Sequence, residues 1–261
     1  MKSHRLMALV GLLAALSLPL VATAGEGAFG VGRDDPALVT ILDRFGQDLE
    51  AQTPALDART RDRVALAALI AVNAPTAFRA RLEQALDGGM PPAEAKEILY
   101  HAVPYVGVGR VAECLREANA FLRERGVALP LPDAATVTAE TRFDRGLAIQ
   151  VETFGEGFRT ALTSGPEDLR PVRRNLAANC FGDFYTRRGL DMQARELLTY
   201  SMLIALGGCE AQVRGHINGN LAVGNGRATL IQATLSLIPI IGYPRTLNAL
   251  AAIDELTRKE P

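Results

Sequence analysis

The stretch LDARTRDRVALAALIAV, residues 56–72, decides the fold because it occurs twice: LDMQARELLTYSMLIAL fills residues 190–206, 134 positions later. Further matches follow. ALDGGM (85–90) pairs with NLAVGN (220–225), and VPYVGVGR (103–110) with IPIIGYPR (238–245), each at an offset of 135. The chain is an internal repeat, and its second copy carries one extra residue near the helix expected at 209–222.

Both copies read as helix after helix. Apolar residues recur at helical spacing, Val64, Leu66, Leu69 and Ile70 in one copy and Leu197, Leu198, Met202 and Ile204 in the other. Asp57 and Asp191 stand where N-caps belong. The first copy continues with helices near 75–87, from Pro91-Pro92 to about Tyr105, and about 109–125, with Gly88-Gly89 and Gly126 as stops. The second copy predicts 209–222, 228–241 and 244–258. Pro104 and Pro239 occupy matching positions, and each is predicted to end or kink its helix. Lead-in segments with helical periodicity precede the copies, 35–49 and 141 to about 186. Residues 127–140, rich in Pro and small residues, read as a linker. No alternating strand pattern is present. The expectation is an all-α chain of two tandem repeats, 25–126 and 141–261.

The first 24 residues read as an export signal. Lys2 and Arg5 precede an apolar run from Met7 to Val21, and Ala22-Thr23-Ala24 gives a small-x-small cleavage pattern. The run is too short to read as a membrane span. The expected mature protein is exported, periplasmic or secreted, with no membrane attachment. Without Lys2 and Arg5 the balance of 28 basic and 29 acidic residues becomes 26 against 29. That mildly acidic surface, with no basic patch and no Trp, argues against nucleic acid as a partner. Three cysteines, Cys114, Cys180 and Cys209, are an odd number, so at least one is free or pairs with another molecule. No CxxC is present, and only two histidines lie beyond the signal, which argues against a structural metal site.

The chemistry concentrates in Glu196 and GGCEAQVRGHINGN (207–220). On a helix, Cys209, Gln212 and His216 fall at i, i+3 and i+7 and share a stripe. The Gly207-Gly208 break would fold the Glu196 helix back over it. A carboxylate, a thiol and an imidazole in one place make an acid-base or thiol site. His216 reads as a general acid/base or as a surface or interface histidine. Cys209 reads as a thiolate favoured by a helix N-terminus or as a small buried hydrophobe. Arg214 and Arg245 read as carboxylate-binding groups or as a solvated face.

The motifs RFDRGLAIQVETFGEGF, FGDFYTRRGLD, RELL, the Gly-Gly-Cys-to-His helix and IPIIGYPRTLNAL, in that order, resemble the carboxymuconolactone decarboxylase family, relatives of the alkylhydroperoxidase D type. The first copy resembles it through RDRVALAAL, FRARLEQALDGG and EAKEILYHAVPYVG. The resemblance implies all-helical units assembling in sixes, here three chains of two units each. It assigns the family's Glu to Glu196 and its His to His216. Cys209 matches the first cysteine of the peroxidase branch's CxxC, and Gln212 stands where the second belongs. In the first copy the same places hold Asp62, Pro75 and Arg81, so that copy reads as structural or accessory. His101 stands where the family often shows His, or packs as a buried helix residue.

The expected activity is a cofactor-free lyase acting on a small carboxylated lactone or related oxo-acid. The catalytic residues would be Glu196, Cys209 and His216, and the substrate-binding residues Gln212, Arg214 and Arg245. A thiol-dependent peroxidase centred on Cys209, or a non-catalytic helical assembly protein, are the alternatives.

Overall fold

The structure, a computed structural model, describes residues 31, 32 and 34–258. The expected export signal at 1–24 lies outside these residues. Twelve α-helices and no β-strand are found among them. None of these helices is long and apolar enough to cross a membrane.

The first repeat comprises α1 (Pro36–Gln52), α2 (Ala58–Ala71), α3 (Pro75–Asp87), α4 (Pro92–Val106) and α5 (Val108–Glu124). The chain then passes through an irregular segment into α6 (Arg142–Phe154), α7 (Gly157–Ser164) and α8 (Arg170–Asn175). A π-helical stretch, Leu176–Tyr185, continues from α8. The second repeat closes with α9 (Met192–Leu206), α10 (Glu210–Ala222), α11 (Arg227–Ser236) and α12 (Ile238–Thr257).

The two N-caps form as the sequence predicts. The Asp57 side chain accepts from the Thr60 amide at 2.6 Å, and Asp191 from the Ala194 amide at 2.8 Å. Each satisfies an amide with no partner inside its helix. Behind the caps, α2 and α9 carry the longest unbroken buried runs of their repeats. Val64 to Ala71 and Leu197 to Ala205 are buried without a break. The two helices pack on each other at the centre of one shared core.

Later helices pack across that centre as well as within their own repeat. α4 of the first repeat packs on α9 of the second, and α12 of the second packs on α2 of the first. This packing brings side chains of the first repeat to the candidate site of the second.

Pro104 lies in the last turn of α4, which ends two residues later at Val106 and is capped by Gly107 (φ 79°). Pro239 departs from expectation. α11 stops at Ser236, and Pro239 sits in the first turn of α12, where its missing N–H costs nothing. The break predicted there falls instead at Gly242 (φ 75°), the counterpart of Gly107. The extra residue of the second repeat lies in the turn before α10. Asn73 alone (φ 57°) turns the chain between α2 and α3, whereas Gly207 and Gly208 (φ 71° and 70°) both do so between α9 and α10. Cys209 is the N-cap of α10 and Ala74 that of α3. The structural counterpart of Cys209 is therefore Ala74, not Pro75.

Candidate active site

α9 and α10 run back on each other through the Gly207-Gly208 turn, and their facing sides carry Glu196 and His216. His216 Nδ1 lies 2.8 Å from Glu196 Oε2. The contact needs close approach of the two helices. A Cβ at Gly219 would stand 2.3 Å from Glu196 Oε2 and 2.6 Å from a Phe154 ring carbon, so only glycine fits there. Asn220 clamps the pair. Its Nδ2 donates to the Glu196 carbonyl (2.9 Å) and to the His216 carbonyl (2.7 Å), while its Oδ1 accepts from Asn225 Nδ2 (2.9 Å).

Glu196 is wholly buried and His216 keeps a small opening to solvent. A buried carboxylate demands partners. Its second oxygen, Oε1, accepts from the Tyr185 hydroxyl at 2.8 Å. The Tyr185 oxygen then accepts from Tyr105 (2.7 Å) and Thr199 (3.1 Å), and the Tyr105 oxygen accepts from the Cys180 thiol (3.7 Å). Every donor in this chain points toward the carboxylate. His216 therefore donates Nδ1–H to Glu196 and leaves Nε2 for proton exchange. The edges or faces of Tyr105 and Phe154 flank its ring, with centroids 5.5 and 5.4 Å away in T-shaped contact.

A second buried imidazole supports the network. His101 Nε2–H lies 2.9 Å from Thr199 Oγ1 and 3.1 Å from the Arg195 carbonyl, and His101 Nδ1 accepts from the Arg195 guanidinium at 3.3 Å. Burial, reinforced by the Arg195 charge, holds the His101 pKa well below its ordinary value. It is a neutral packing residue with a fixed tautomer. Burial likewise pushes the Tyr105 and Tyr185 hydroxyls well above the usual tyrosine range, with the negative charge at Glu196 adding to the effect. Both stay protonated and act as hydrogen-bond donors.

The sequence-predicted residues divide between two places. Glu196 and His216 meet. Cys209 begins the helix on which His216 lies two turns later, about 10 Å along the axis. Its thiol donates to the Leu203 carbonyl at 3.3 Å, and burial, with the Glu210 charge, raises its pKa. The thiolate expected from the helix N-terminus is opposed by that desolvation. Gln212 is exposed. Arg214 forms an exposed bidentate ion pair with Glu255, and Arg245 donates to the Ala205 carbonyl. Neither arginine contacts the Glu196–His216 pair. The thiol that does adjoin the network is Cys180, pushed up to about 12 chiefly by burial. All three cysteines are free.

Sequence reasoning missed Tyr105, Tyr185, Thr199 and Phe154. All four stood in quoted stretches, the two tyrosines in VPYVGVGR and FGDFYTRRGLD. Their signal was that a buried tyrosine hydroxyl needs a partner. No group of His, Cys, Asp and Glu with metal-binding geometry occurs among the described residues.

The helical repeat and its buried carboxylate–imidazole pair define a tandem assembly of one helical unit with a polar site in only one copy. A family model described as the carboxymuconolactone decarboxylase family matches residues 36–120 and 170–255, and the chain belongs to that family. Both repeats are matched, the first from α1 onward and the second from α8 onward. No curated protein matches the chain.

Proposed function

We propose that the chain is a decarboxylase-type lyase acting on a small carboxylated lactone or related oxo-acid, with His216 as the group that exchanges a proton with substrate carbon. The observation that carries this reading is the Glu196–His216 pair, backed by tyrosine donors and bounded by aromatic rings. Loss of CO₂ from such a lactone leaves the bond's electron pair conjugated with the ring carbonyl, as a dienolate. Protonated His216 delivers Nε2–H to the dienolate carbon, and solvent returns the proton. Glu196 balances the imidazolium charge, and Tyr185 keeps the carboxylate oriented. The scheme calls on no cofactor. Cys209, Gln212, Arg214 and Arg245 have no part in this step.

The peroxidase reading has less support. A thiol cycle needs a nucleophilic thiolate with a resolving thiol beside it. The Cys209 thiol is raised by burial and hydrogen-bonds a carbonyl, and no second cysteine contacts it. The deciding experiment assays wild type, His216→Ala and Cys209→Ser on a carboxylated lactone, and on an organic hydroperoxide with external thiol. Lactone turnover lost on changing His216 and kept on changing Cys209 supports the lyase. Hydroperoxide turnover that depends on Cys209, without lactone turnover, overturns it.

We also propose that the mature chain is exported and that three chains close a ring. Exposed apolar residues at matching places support the ring: Val108 after Gly107, and Tyr243 after Gly242. Leu38 and Ile41 on α1, and Val172 and Leu176 on α8 and its continuation, are further exposed apolar side chains. A stable monomer by light scattering contradicts the ring, and a retained residue 1–24 segment contradicts export by the signal route.

A further inference from the structure

A cavity of about 330 Å³ opens between the C-terminal end of α9, the first turns of α10 and the middle of α12. It shares no lining residue with the Glu196–His216 network. Leu203, Ile204, Val213, Ala249 and Ala252 give it apolar walls. Cys209 and Arg245 also line it, together with Glu210, Arg214, Asn248 and Glu255.

The first repeat shows how the space arises. Val213 corresponds to Phe78, Ala249 to Cys114 and Ala252 to Glu117, at the 135-residue offset. Phe78 and Cys114 are fully buried in the first repeat. The second repeat substitutes smaller side chains at each place. A core left underfilled by about two side chains costs stability unless something occupies it. The volume is at the lower end for small-molecule pockets.

The polar groups select the occupant. Arg245 and its counterpart Arg110 make the same bond, to the carbonyls of Ala205 and Ala71. That bond leaves the rest of the Arg245 fork over Gly207, its Nε 3.2 Å from where a Cβ would stand. Arg214 is paired with Glu255 and the other acid of the lining, Glu210, is exposed to solvent, whereas Arg245 makes no ion pair among the described residues. A cavity with apolar walls and an unpaired guanidinium in its lining fits a short aliphatic or aromatic chain ending in one carboxylate.

We propose that this cavity is a second ligand site, which takes a small monocarboxylate with its apolar end against Val213 and its carboxylate on Arg245. The proposal stands apart from the proton-transfer reading. Cys209 supplies a readout independent of activity, because Cys114 and Cys180 are buried with thiols near 12. The test follows alkylation of Cys209 by iodoacetamide, read by peptide mass, with and without hexanoate at ~10 mM, a concentration suited to a ligand of this size. Hexanoate should slow alkylation about tenfold. Hexylamine, with the same chain and opposite charge, should not.

Val213→Phe, which restores the first repeat's residue, should abolish protection. Arg245→Gln should make hexanoate no better than hexanol. Should Val213→Phe not fold by circular dichroism, Ala252→Leu fills the opposite wall and serves the same purpose. Absence of protection in wild type, equal protection by hexylamine, or protection surviving the filled cavity would each overturn the proposal. Loss of lactone turnover would leave it untouched.

Discussion

In the second repeat a carboxylate on α9 meets an imidazole on α10. In the first repeat the same two positions on α2 and α3 hold Asp62 and Arg81, and these also meet, Arg81 to Asp62 Oδ1 at 2.8 Å. The backbone geometry that brings the two side chains together is thus common to both copies. What differs is the chemistry. Guanidinium does not release a proton near neutral pH, so the first pair is a permanent ion pair, whereas imidazole exchanges protons there. Surroundings differ as well. Glu196 is reached by the Tyr185 hydroxyl, which in turn bonds Tyr105 of the opposite repeat. The counterpart of Tyr105 in the second repeat is Ile240. The first repeat therefore keeps the joint, loses the proton chemistry, and lends two side chains, Tyr105 and His101, to the site of the second. It is neither inert nor a second active site.

The largest effect should come from removing the one ring that distinguishes the two pairs. His216→Ala should lower kcat for the lactone reaction about 10²–10⁴-fold, the usual contribution of a general acid or base. Arg81→Ala should leave kcat within about twofold of wild type, since Arg81 contacts no group of the site. Equal losses from both variants would break the comparison.

Tyr185→Phe should follow. It removes the only hydroxyl that donates to Glu196 and leaves a buried carboxylate oxygen unsatisfied, at a cost of about 1–3 kcal/mol. The expected result is a loss of roughly 10–10² in kcat, with a lower melting temperature. Tyr105→Phe, one bond further out, should lose less in both. A larger effect from Tyr105 than from Tyr185 would mean that the hydroxyl chain does not run toward Glu196.

Arg81→Ala should cost stability rather than rate. It strands Asp62, whose pKa burial already raises, and should lower unfolding free energy by about 1–3 kcal/mol in a urea titration. Replacing both partners, Asp62→Leu with Arg81→Met, should recover most of that loss. Failure of the double variant to recover would show that the first-repeat pair does more than hold two helices together.

The smallest effect concerns pH. The folded chain keeps His101 neutral well below its ordinary pKa, while the unfolded chain takes up a proton near about 6.5. The stability that depends on a neutral His101 is therefore complete above about pH 6.5 and falls as the pH drops below it. The decline should approach about 1.4 kcal/mol per pH unit from this one group. His101→Gln should flatten the slope between about pH 6.5 and 5. An unchanged slope would place the acid sensitivity on other groups.

Much of this was legible in the chain itself. The doubled segment at 56–72 and 190–206, with its caps Asp57 and Asp191, fixed the number and kind of units, because periodicity and capping are local properties. Glu196 and His216 were legible for the same reason. One turn joins their helices, and the spacing of residues along each helix sets which face they share. The glycine at 219, needed for the approach, stood in the same motif.

Tertiary structure alone decided the rest. Nothing local tells that α4 crosses to α9 of the other repeat, so Tyr105 and His101 could not be assigned to the Glu196 network from the sequence. Cys209 shows the opposite error. Spacing placed it on the His216 stripe, but an N-cap residue does not have helical backbone angles, and its side chain leaves the stripe to bond the Leu203 carbonyl. Its environment, half-buried beside Glu210, sets the thiol's charge against the pull of the helix dipole. The cavity beside Arg245 was invisible for a related reason, since exchanging Phe78 for Val213 is conservative in a hydropathy pattern. Volume is a property of packed neighbours, and only the folded chain shows whether a smaller side chain has been compensated or has left a space.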